Sequence, residues 1–204
     1  MKITDIKKQQ HRDDRYSIFA DGKFLFSLGE SALLEIGLHV GQEISPEAAD
    51  QLKVSAGFDK LYDQALNYIA IRRRSEWEME QYLRRKTAVI EDQAAVMQRL
   101  QTGHWLDDLA FATAWVESRR LLRATNQRRL RQELQAKHVN EVVIDTVLAA
   151  DDTDETAVLR ELVTRKRRQS RYQDDLKLMQ YLVRQGFSYE AVKLAVKATA
   201  ASED

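Results

Sequence analysis

Two pairs of adjacent aspartates are the residues whose type and spacing most suggest chemistry. Asp107-Asp108 and Asp151-Asp152 could hold a metal ion or supply a general acid and a general base. Neighbouring residues on a helix point about 100° apart, so the two carboxylates of a pair do not converge on one ion. Asp107 fits better as a helix N-cap, with Asp108 in the first turn, where a carboxylate favours the positive end of the helix.

No other catalytic pattern is present in the sequence. The four histidines, His11, His39, His104 and His138, are scattered without the spacing of metal ligands. The chain has no cysteine, which excludes disulfides and thiolate metal sites. It also lacks the glycine-rich loops that hold phosphates or dinucleotides. We therefore predict a protein that is not an enzyme, with no cofactor and no metal site.

Clustered basic residues are the second candidate for function. The formal net charge is zero, yet residues 119–138 and 160–171 are strongly basic while residues 141–156 carry acids and no base. Local charge determines the field that a partner meets. Solvated helix faces are the alternative, but two such runs plus the run at 72–74 favour a binding surface. The predicted contact residues are Arg72, Arg73, Arg74, Arg119, Arg120, Arg123, Arg128, Arg129, Arg131, Arg165, Lys166, Arg167 and Arg168.

The first 45 residues differ from the rest of the chain. The stretch YSIFADGKFLFS, residues 16–27, places two β-prone runs around Asp21-Gly22, which predicts a hairpin with a tight two-residue turn. Residues 2–10 could add a third strand. Ser45 and Pro46 then have the residue types of a helix N-cap and a first helical position.

Everything after residue 46 has the composition of helices, and it repeats. Three segments align without gaps: MEQYLRRKT (79–87), LRQELQAKH (130–138) and LMQYLVRQG (178–186). Each keeps two apolar residues four positions apart, which lie on one helix face. Asn140 and Ser188 follow the second and third copies as N-caps, and a helix with a basic end precedes each copy. These patterns predict three units of three helices.

The aromatic residues around the aspartate pair have a structural explanation. Leu106 and Phe111 fit a hydrophobic staple around the Asp107 cap. Phe111, Trp115, Ser118 and Leu122 follow at helical spacing, which predicts an inward stripe. We expect Trp105 and Trp115 to belong to the core rather than to stack on nucleic-acid bases.

The predicted fold is mainly α, with three tandem three-helix repeats that form an elongated curved array behind a small N-terminal segment containing a β-hairpin. The expected divisions are residues 1–45, the lead-in and first repeat at 46–104, the second repeat at 105–150, the third at 151–200 and a tail at 201–204. The charged N-terminus predicts no signal peptide, and no apolar run reaches the roughly 20 residues of a membrane span. We therefore expect a cytoplasmic protein, without membrane contact and monomeric.

A family resemblance supports these expectations. The stretch WLDDLAFATAWVESR, followed by RRLRQELQAKHV and VIDTVLA, resembles the RecX family of bacterial regulators of the RecA recombinase. The likeness covers about residues 60–200, and His138 and Thr87 stand where the family often has glycine. The positions that match the family pattern are Leu106, Asp107, Asp108, Phe111, Ala112, Ser118, Arg119, Glu133 and Leu134.

The resemblance implies a non-enzymatic regulator. RecX-like proteins bind the groove of the RecA filament on single-stranded DNA and inhibit its ATPase, recombinase and coprotease activities, so the implied partners are the RecA filament and the DNA within it. The alternative is a helical repeat protein that binds DNA irrespective of sequence. With about six phosphate contacts, its affinity for single strands would fall with salt at a log–log slope near −4.

Overall fold

The structure, a computed structural model, describes residues 1–10, 12–122 and 125–200. The N-terminal segment forms an antiparallel sheet in the order β1-β2-β3, with strands Ile3–Gln9, Arg12–Ala20 and Lys23–Gly29. Asp21 and Gly22 connect β2 to β3, and both have positive φ angles, of 48° and 76°. This is the turn that an Asp-Gly pair favours, so the predicted hairpin and third strand are confirmed.

The rest of the described chain is helical. Its helices are α1 Glu30–Ile36, α2 Pro46–Ile71, α3 Glu76–Arg84, α4 Ile90–Thr102, α5 Asp108–Leu122, α6 Gln127–Gln135, α7 Glu141–Ala150, α8 Glu155–Arg167, α9 Asp175–Arg184 and α10 Tyr189–Ala200, with a 3₁₀ turn at Ser170–Tyr172. The side chains of Ser45, Asn140 and Ser188 accept backbone N–H groups at the starts of α2, α7 and α10, as the sequence predicts. Among the helices of the described residues there is no candidate for a membrane-spanning segment.

The chain divides into two compact bodies. The first holds Met1–Arg74 and Glu78–Leu106, and the second holds Ser75–Trp77 and the residues from Asp107 onward. In the first body, one apolar cluster joins the sheet, α1 and the start of α2, and another joins the rest of α2 to α3 and α4. The buried guanidinium of Arg15 also attaches β2 to α2, because it donates to Asp63 and lies near Asp59.

The helices α2, α3 and α4 are counted as the first triplet. The second body contains the second and third triplets, each with its own core. In the second triplet, α5, α6 and α7 enclose Leu130 and Leu134, which are fully buried. In the third triplet, α8, α9 and α10 enclose Leu178 and Leu182, which are also fully buried. The apolar pairs that define the sequence repeat are therefore the core residues of their triplets. The mainly helical fold is confirmed, while the elongated curvature and the exact repeat boundaries stay predictions.

The predicted inward stripe of α5 is only partly correct. Phe111 is buried and Trp115 packs against the core, but Ala112 and Val116 supply the rest of the buried face. Leu122 is 70% exposed, because the core of this triplet lies on the face of α5 that carries Ala112 and Val116, each one position after a predicted stripe residue. Ser118 is exposed as well. Trp105 is 58% exposed, so its predicted core position is wrong: it follows α4 in the loop that leads to α5.

Leu134→Ala tests the core of the second triplet. Its side chain is fully buried, so removing it should lower the free energy of unfolding by about 2–5 kcal/mol. Leu121→Ala makes the same chemical change at a side chain that is 85% exposed, and it should shift stability by less than about 0.5 kcal/mol. Urea unfolding followed by circular dichroism compares the two variants. A similar loss in both would contradict the assigned core.

Candidate partner-binding surface

A hydrogen-bonded cluster joins the end of α5 to α6. The indole Nε1 of Trp115 donates to Oε2 of Glu133 over 3.0 Å, and Nε of Arg119 donates to the same oxygen over 2.6 Å. The Arg119 guanidinium also lies 4.4 Å from the Trp115 ring centre, one helical turn away. These groups lie on the facing sides of α5 and α6. The Glu133 carboxylate is therefore the shared hydrogen-bond acceptor that joins the two helices.

More positive charge collects around the same carboxylate than it can neutralise. Arg129 Nε lies 3.5 Å from Oε1 of Glu133, and the Lys137 ammonium lies 5.4 Å from the Trp115 ring. Partial burial opposes ionisation of Glu133, but hydrogen bonds from Arg119 and Trp115 outweigh it and hold the pKa below its ordinary value. One carboxylate therefore faces two guanidinium groups, while the Lys137 ammonium lies over the neighbouring Trp115 ring, which leaves this side of α6 positive.

A basic cleft opens beside this cluster, where the second and third triplets meet. It has a volume of about 300 Å³. Its lining residues are Leu122, Thr125, Arg129, Leu162, Arg165, Lys166, Tyr181 and Gln185. Arg129 Nη1 donates to the side chain of Gln185 over 3.2 Å, and the Lys166 ammonium lies 4.8 Å from the Tyr181 ring. The cleft thus combines cations from both triplets with an aromatic ring, which suits an anionic or polar partner.

Three of the predicted contact residues are engaged inside the second body. Arg120 donates to Asp151 over 2.5 and 2.9 Å and to the carbonyl oxygen of Thr125, and both charged side chains are largely buried. Arg167 pairs with Asp175 over 2.5 Å and donates to the carbonyl oxygen of Gln173.

Arg131 is the third of these residues. It bridges Glu141 and Asp145 over 2.9 and 2.5 Å and so connects α6 to α7. The guanidinium groups of Arg120, Arg131 and Arg167 therefore hold helices together, a role that their place in basic runs did not indicate.

Arg128, Arg165 and Arg168 differ from these three residues. All three are exposed, and within the described part of the chain their side chains form no hydrogen bond or ion pair. Arg165 also lines the basic cleft, together with Arg129 and Lys166. The structure thus brings part of the second and third predicted runs together. Arg123 lies outside the described residues.

The run at 72–74 belongs to the first body. Arg72 forms two hydrogen bonds of 2.8 Å with the buried carboxylate of Glu78. The Arg74 guanidinium lies 3.8 Å from the ring centre of Tyr68, whose ring stacks on Tyr82 at 4.2 Å. Arg73 is exposed and has no side-chain partner among the described residues.

Three of the four paired aspartates have structural roles. Asp107 Oδ1 accepts the N–H groups of Leu109 and Ala110 over 2.8 and 3.0 Å, which confirms the predicted N-cap. Asp108 accepts the N–H of Glu76 over 2.8 Å, and Asp151 pairs with Arg120. Among residues 1–10, 12–122 and 125–200, no three side chains of metal-binding type are grouped.

Some members of this surface were not identified from the sequence. Glu133 matches the family pattern but had no predicted role, and no role was predicted for Gln185 or Tyr181. The signal available for Tyr181 was its place inside the third repeat copy, next to the basic end of α8. Pairing across 56 positions, as between Arg129 and Gln185, leaves no local pattern in the sequence.

Comparisons with known proteins agree with this architecture. Residues 1–45 match a family model described as the regulatory protein RecX N-terminal domain. Residues 62–100 and 107–148 match the first and second RecX three-helix domains. The regulatory protein RecX of Leuconostoc citreum is 31% identical over 199 residues, which cover 95% of this chain and 74% of that protein. The chain belongs to the RecX family.

Other relatives agree with this membership. RecX of Bacillus licheniformis is 28% identical, with 97% of this chain and 77% of that protein covered. A crystal structure of regulatory protein RecX has a TM-score of 0.69 and 25% identity over 97% of this chain and 98% of that one. The RecX of Lactobacillus salivarius, with a TM-score of 0.59 at 19% identity over 71% of this chain and 97% of that one, shares the fold. RecX proteins are non-enzymatic regulators, which confirms that prediction.

The ion pair of Arg120 and Asp151 predicts a pH-dependent contribution to stability in this RecX chain. Burial alone would raise the pKa of Asp151, but hydrogen bonds from Arg120 and Thr153 hold it below its ordinary value. Asp151→Asn should therefore lower the free energy of unfolding at pH 7 by about 1–3 kcal/mol. A carboxyl group whose pKa is lowered in the folded state stabilises the fold at pH values above its unfolded pKa. The loss in free energy of unfolding caused by Asp151→Asn should therefore shrink as pH falls below about 4.

Asp152→Asn is the matched control, because Asp152 is exposed and has no partner among the described residues. Thermal unfolding of both variants and the parent chain between pH 7 and pH 3 measures the difference. A deficit for Asp151→Asn that is the same at every pH would contradict the ion pair.

Proposed function

We propose that this protein binds the groove of the RecA filament on single-stranded DNA and inhibits its ATPase, recombinase and coprotease activities. Family membership supports RecA as the partner. The contact surface that we propose combines the basic cleft, lined by Arg129, Arg165 and Lys166, with the exposed residues Arg128 and Arg168, which lie on the same two helix segments. Arg119 and Lys137 flank it. Arg73, in the first body, is proposed as a separate contact residue.

Arg128 is the residue that carries the proposal. It lies at the second position of α6, whose first turn contains no acid and two arginines. Cations at a helix N-terminus oppose the helix dipole and cost about 0.3–1 kcal/mol each. An exposed arginine whose side chain has no partner among the described residues, at a position where it destabilises its own helix, is best explained by a contact outside the chain.

The other basic runs are weaker arguments for partner binding. Arg119 and Arg120 lie in the last turn of α5, and Arg165, Lys166 and Arg167 lie in the last turn of α8. Cations there favour the negative end of the helix, so their abundance has a structural explanation as well. The argument that these residues contribute to binding therefore rests on Arg165 and Lys166, which line the cleft, and not on the number of cations in each run.

Charge reversal of three exposed arginines tests this surface. The triple variant Arg128→Glu, Arg165→Glu, Arg168→Glu should weaken inhibition of the RecA ATPase by about tenfold or more, because three favourable charges become repulsive. Circular dichroism should show unchanged helicity, since none of the three side chains has an internal partner among the described residues.

The control variant Lys23→Glu, Lys60→Glu, Lys197→Glu changes the net charge equally at exposed positions outside the proposed surface. It should inhibit like the parent chain. Equal inhibition by the two triple variants would exclude the proposed contact surface.

Binding to naked single-stranded DNA separates the proposal from the DNA-binding alternative. Affinities for RecA-coated and uncoated strands are compared at two salt concentrations. We expect tighter binding to the coated strand at both. Equal affinities, falling steeply with salt for both forms, would favour a plain DNA-binding protein.

A further inference from the structure

A buried asparagine lies beside the basic cleft, at the point where the second and third triplets meet. Asn126 precedes α6 as its N-cap and is only 2% exposed. Asparagine side chains are mostly exposed in proteins, because a buried amide needs partners for its oxygen and for its NH₂ group. The burial of Asn126 therefore directs attention to the two partners of its amide.

The two halves of this amide contact different triplets. Oδ1 accepts the N–H of Arg129 in the first turn of α6 over 2.8 Å. Nδ2 donates to the carbonyl oxygen of Gln185, at the end of α9, over 3.3 Å. An aspartate at this position would supply the acceptor that caps α6 but not the donor that reaches α9. One side chain thus joins the start of a helix in the second triplet to the end of a helix in the third.

The two residues that Asn126 holds are themselves part of the basic cleft. Arg129 and Gln185 both line it, one from each triplet. Arg129 Nη1 donates to the side chain of Gln185 over 3.2 Å. Because Asn126 fixes the backbone at both residues, its two hydrogen bonds set the separation at which the Arg129 and Gln185 side chains meet.

A glycine provides the space that Asn126 occupies. A Cβ atom at Gly186 would lie 2.9 Å from Nδ2 of Asn126, which is closer than a side chain tolerates. The φ angle of Gly186 is +100°. The equivalent position in the second triplet holds His138, whose φ angle of 55° is also positive. A positive φ angle at this place in the repeat therefore does not by itself require glycine, whereas contact with Asn126 does.

We infer that Asn126 is a positioning residue of the basic cleft, which holds Arg129 and Gln185 in the arrangement that the partner binds. The inference rests on the proposed function and adds to it the residue that sets the geometry of the contact surface. Asn126 acts through its two neighbours, because a side chain that is 2% exposed has no surface of its own to offer to a partner.

Asn126→Asp tests the donor while it keeps the size of the side chain and the cap acceptor. An oxygen then faces the carbonyl oxygen of Gln185. Binding to RecA filaments on single-stranded DNA should weaken about two- to tenfold, the effect of losing one hydrogen bond. Asn140→Asp makes the same change at the exposed N-cap of α7, where the amide oxygen accepts the N–H of Val142. This control should bind like the parent chain.

Gly186→Ala tests the same contact without a change of charge. The added Cβ should displace the Asn126 amide and weaken filament binding to a similar extent. Gly37→Ala is the control for backbone strain, because Gly37 has a φ angle of +69° and a Cβ there meets no atom within 4 Å. It should leave the affinity for the filament unchanged.

A double variant separates positioning from a general loss of stability. In a chain that already carries Arg129→Ala, Asn126→Asp should weaken filament binding much less than in the parent chain, because the side chain that it positions is gone. A loss of stability would lower the affinity equally in both backgrounds.

Spin labels measure the arrangement of the two triplets without a filament. The chain has no cysteine of its own, so Gln132→Cys on α6 and Leu194→Cys on α10 place one label at an exposed position of each triplet. The distance distribution from pulsed electron resonance should shift or broaden in Asn126→Asp and Gly186→Ala. Asn140→Asp should leave it unchanged.

The outcomes distinguish this inference from the proposed function. An unchanged distance distribution in both Asn126→Asp and Gly186→Ala would overturn the inference and leave the proposed function standing. Filament binding by both variants at the parent's affinity would do the same, as would a full effect of Asn126→Asp in the Arg129→Ala background. Failure of the parent chain to bind the filament would overturn both.

Discussion

A carboxylate on the first helix of a triplet, accepting a backbone N–H from an earlier segment of the chain, is the contact on which the packing within each body depends. Asp59 of α2 accepts the N–H of Gly29 over 2.8 Å in the first body. Asp108 and Glu155 make the same type of bond to the starts of α3 and α6 in the second. The first N–H groups of a helix have no acceptor within that helix, so a carboxylate on a neighbouring helix supplies the missing acceptor.

Arginine serves two purposes in the second body, and sequence proximity does not separate them. Arg119 and Arg120 are adjacent, yet Arg119 joins a partly exposed cluster around Glu133 while Arg120 is largely buried against Asp151. Neighbouring helical residues point in different directions, so one can face solvent and the other an internal acid. A basic run therefore describes where cations are concentrated, and only the packing shows which of them remain available.

Local rules predicted much of the fold because they act over a few residues. The turn at Asp21-Gly22, the cap at Asp107 and the buried pair Leu130 and Leu134 follow from turn chemistry, capping and helical spacing. The surface was harder to predict: its basic composition was evident, but not the cleft that Arg129 shares with Gln185 and Tyr181. Trp105 was misplaced for a related reason, since large aromatic residues are usually buried and this one follows a helix in a loop.

The walls of the basic cleft come from two triplets, and this has a thermodynamic consequence. Thr125 and Arg129 belong to one side, while Lys166 and Tyr181 belong to the other. If the triplets separate, the cleft no longer exists, so a ligand bound there has affinity only for the joined arrangement. By mass action such a ligand stabilises the contact between the triplets. By the same linkage, a more stable contact between the triplets raises the affinity for the ligand. Recognition and rigidity are in this way linked functions of one junction.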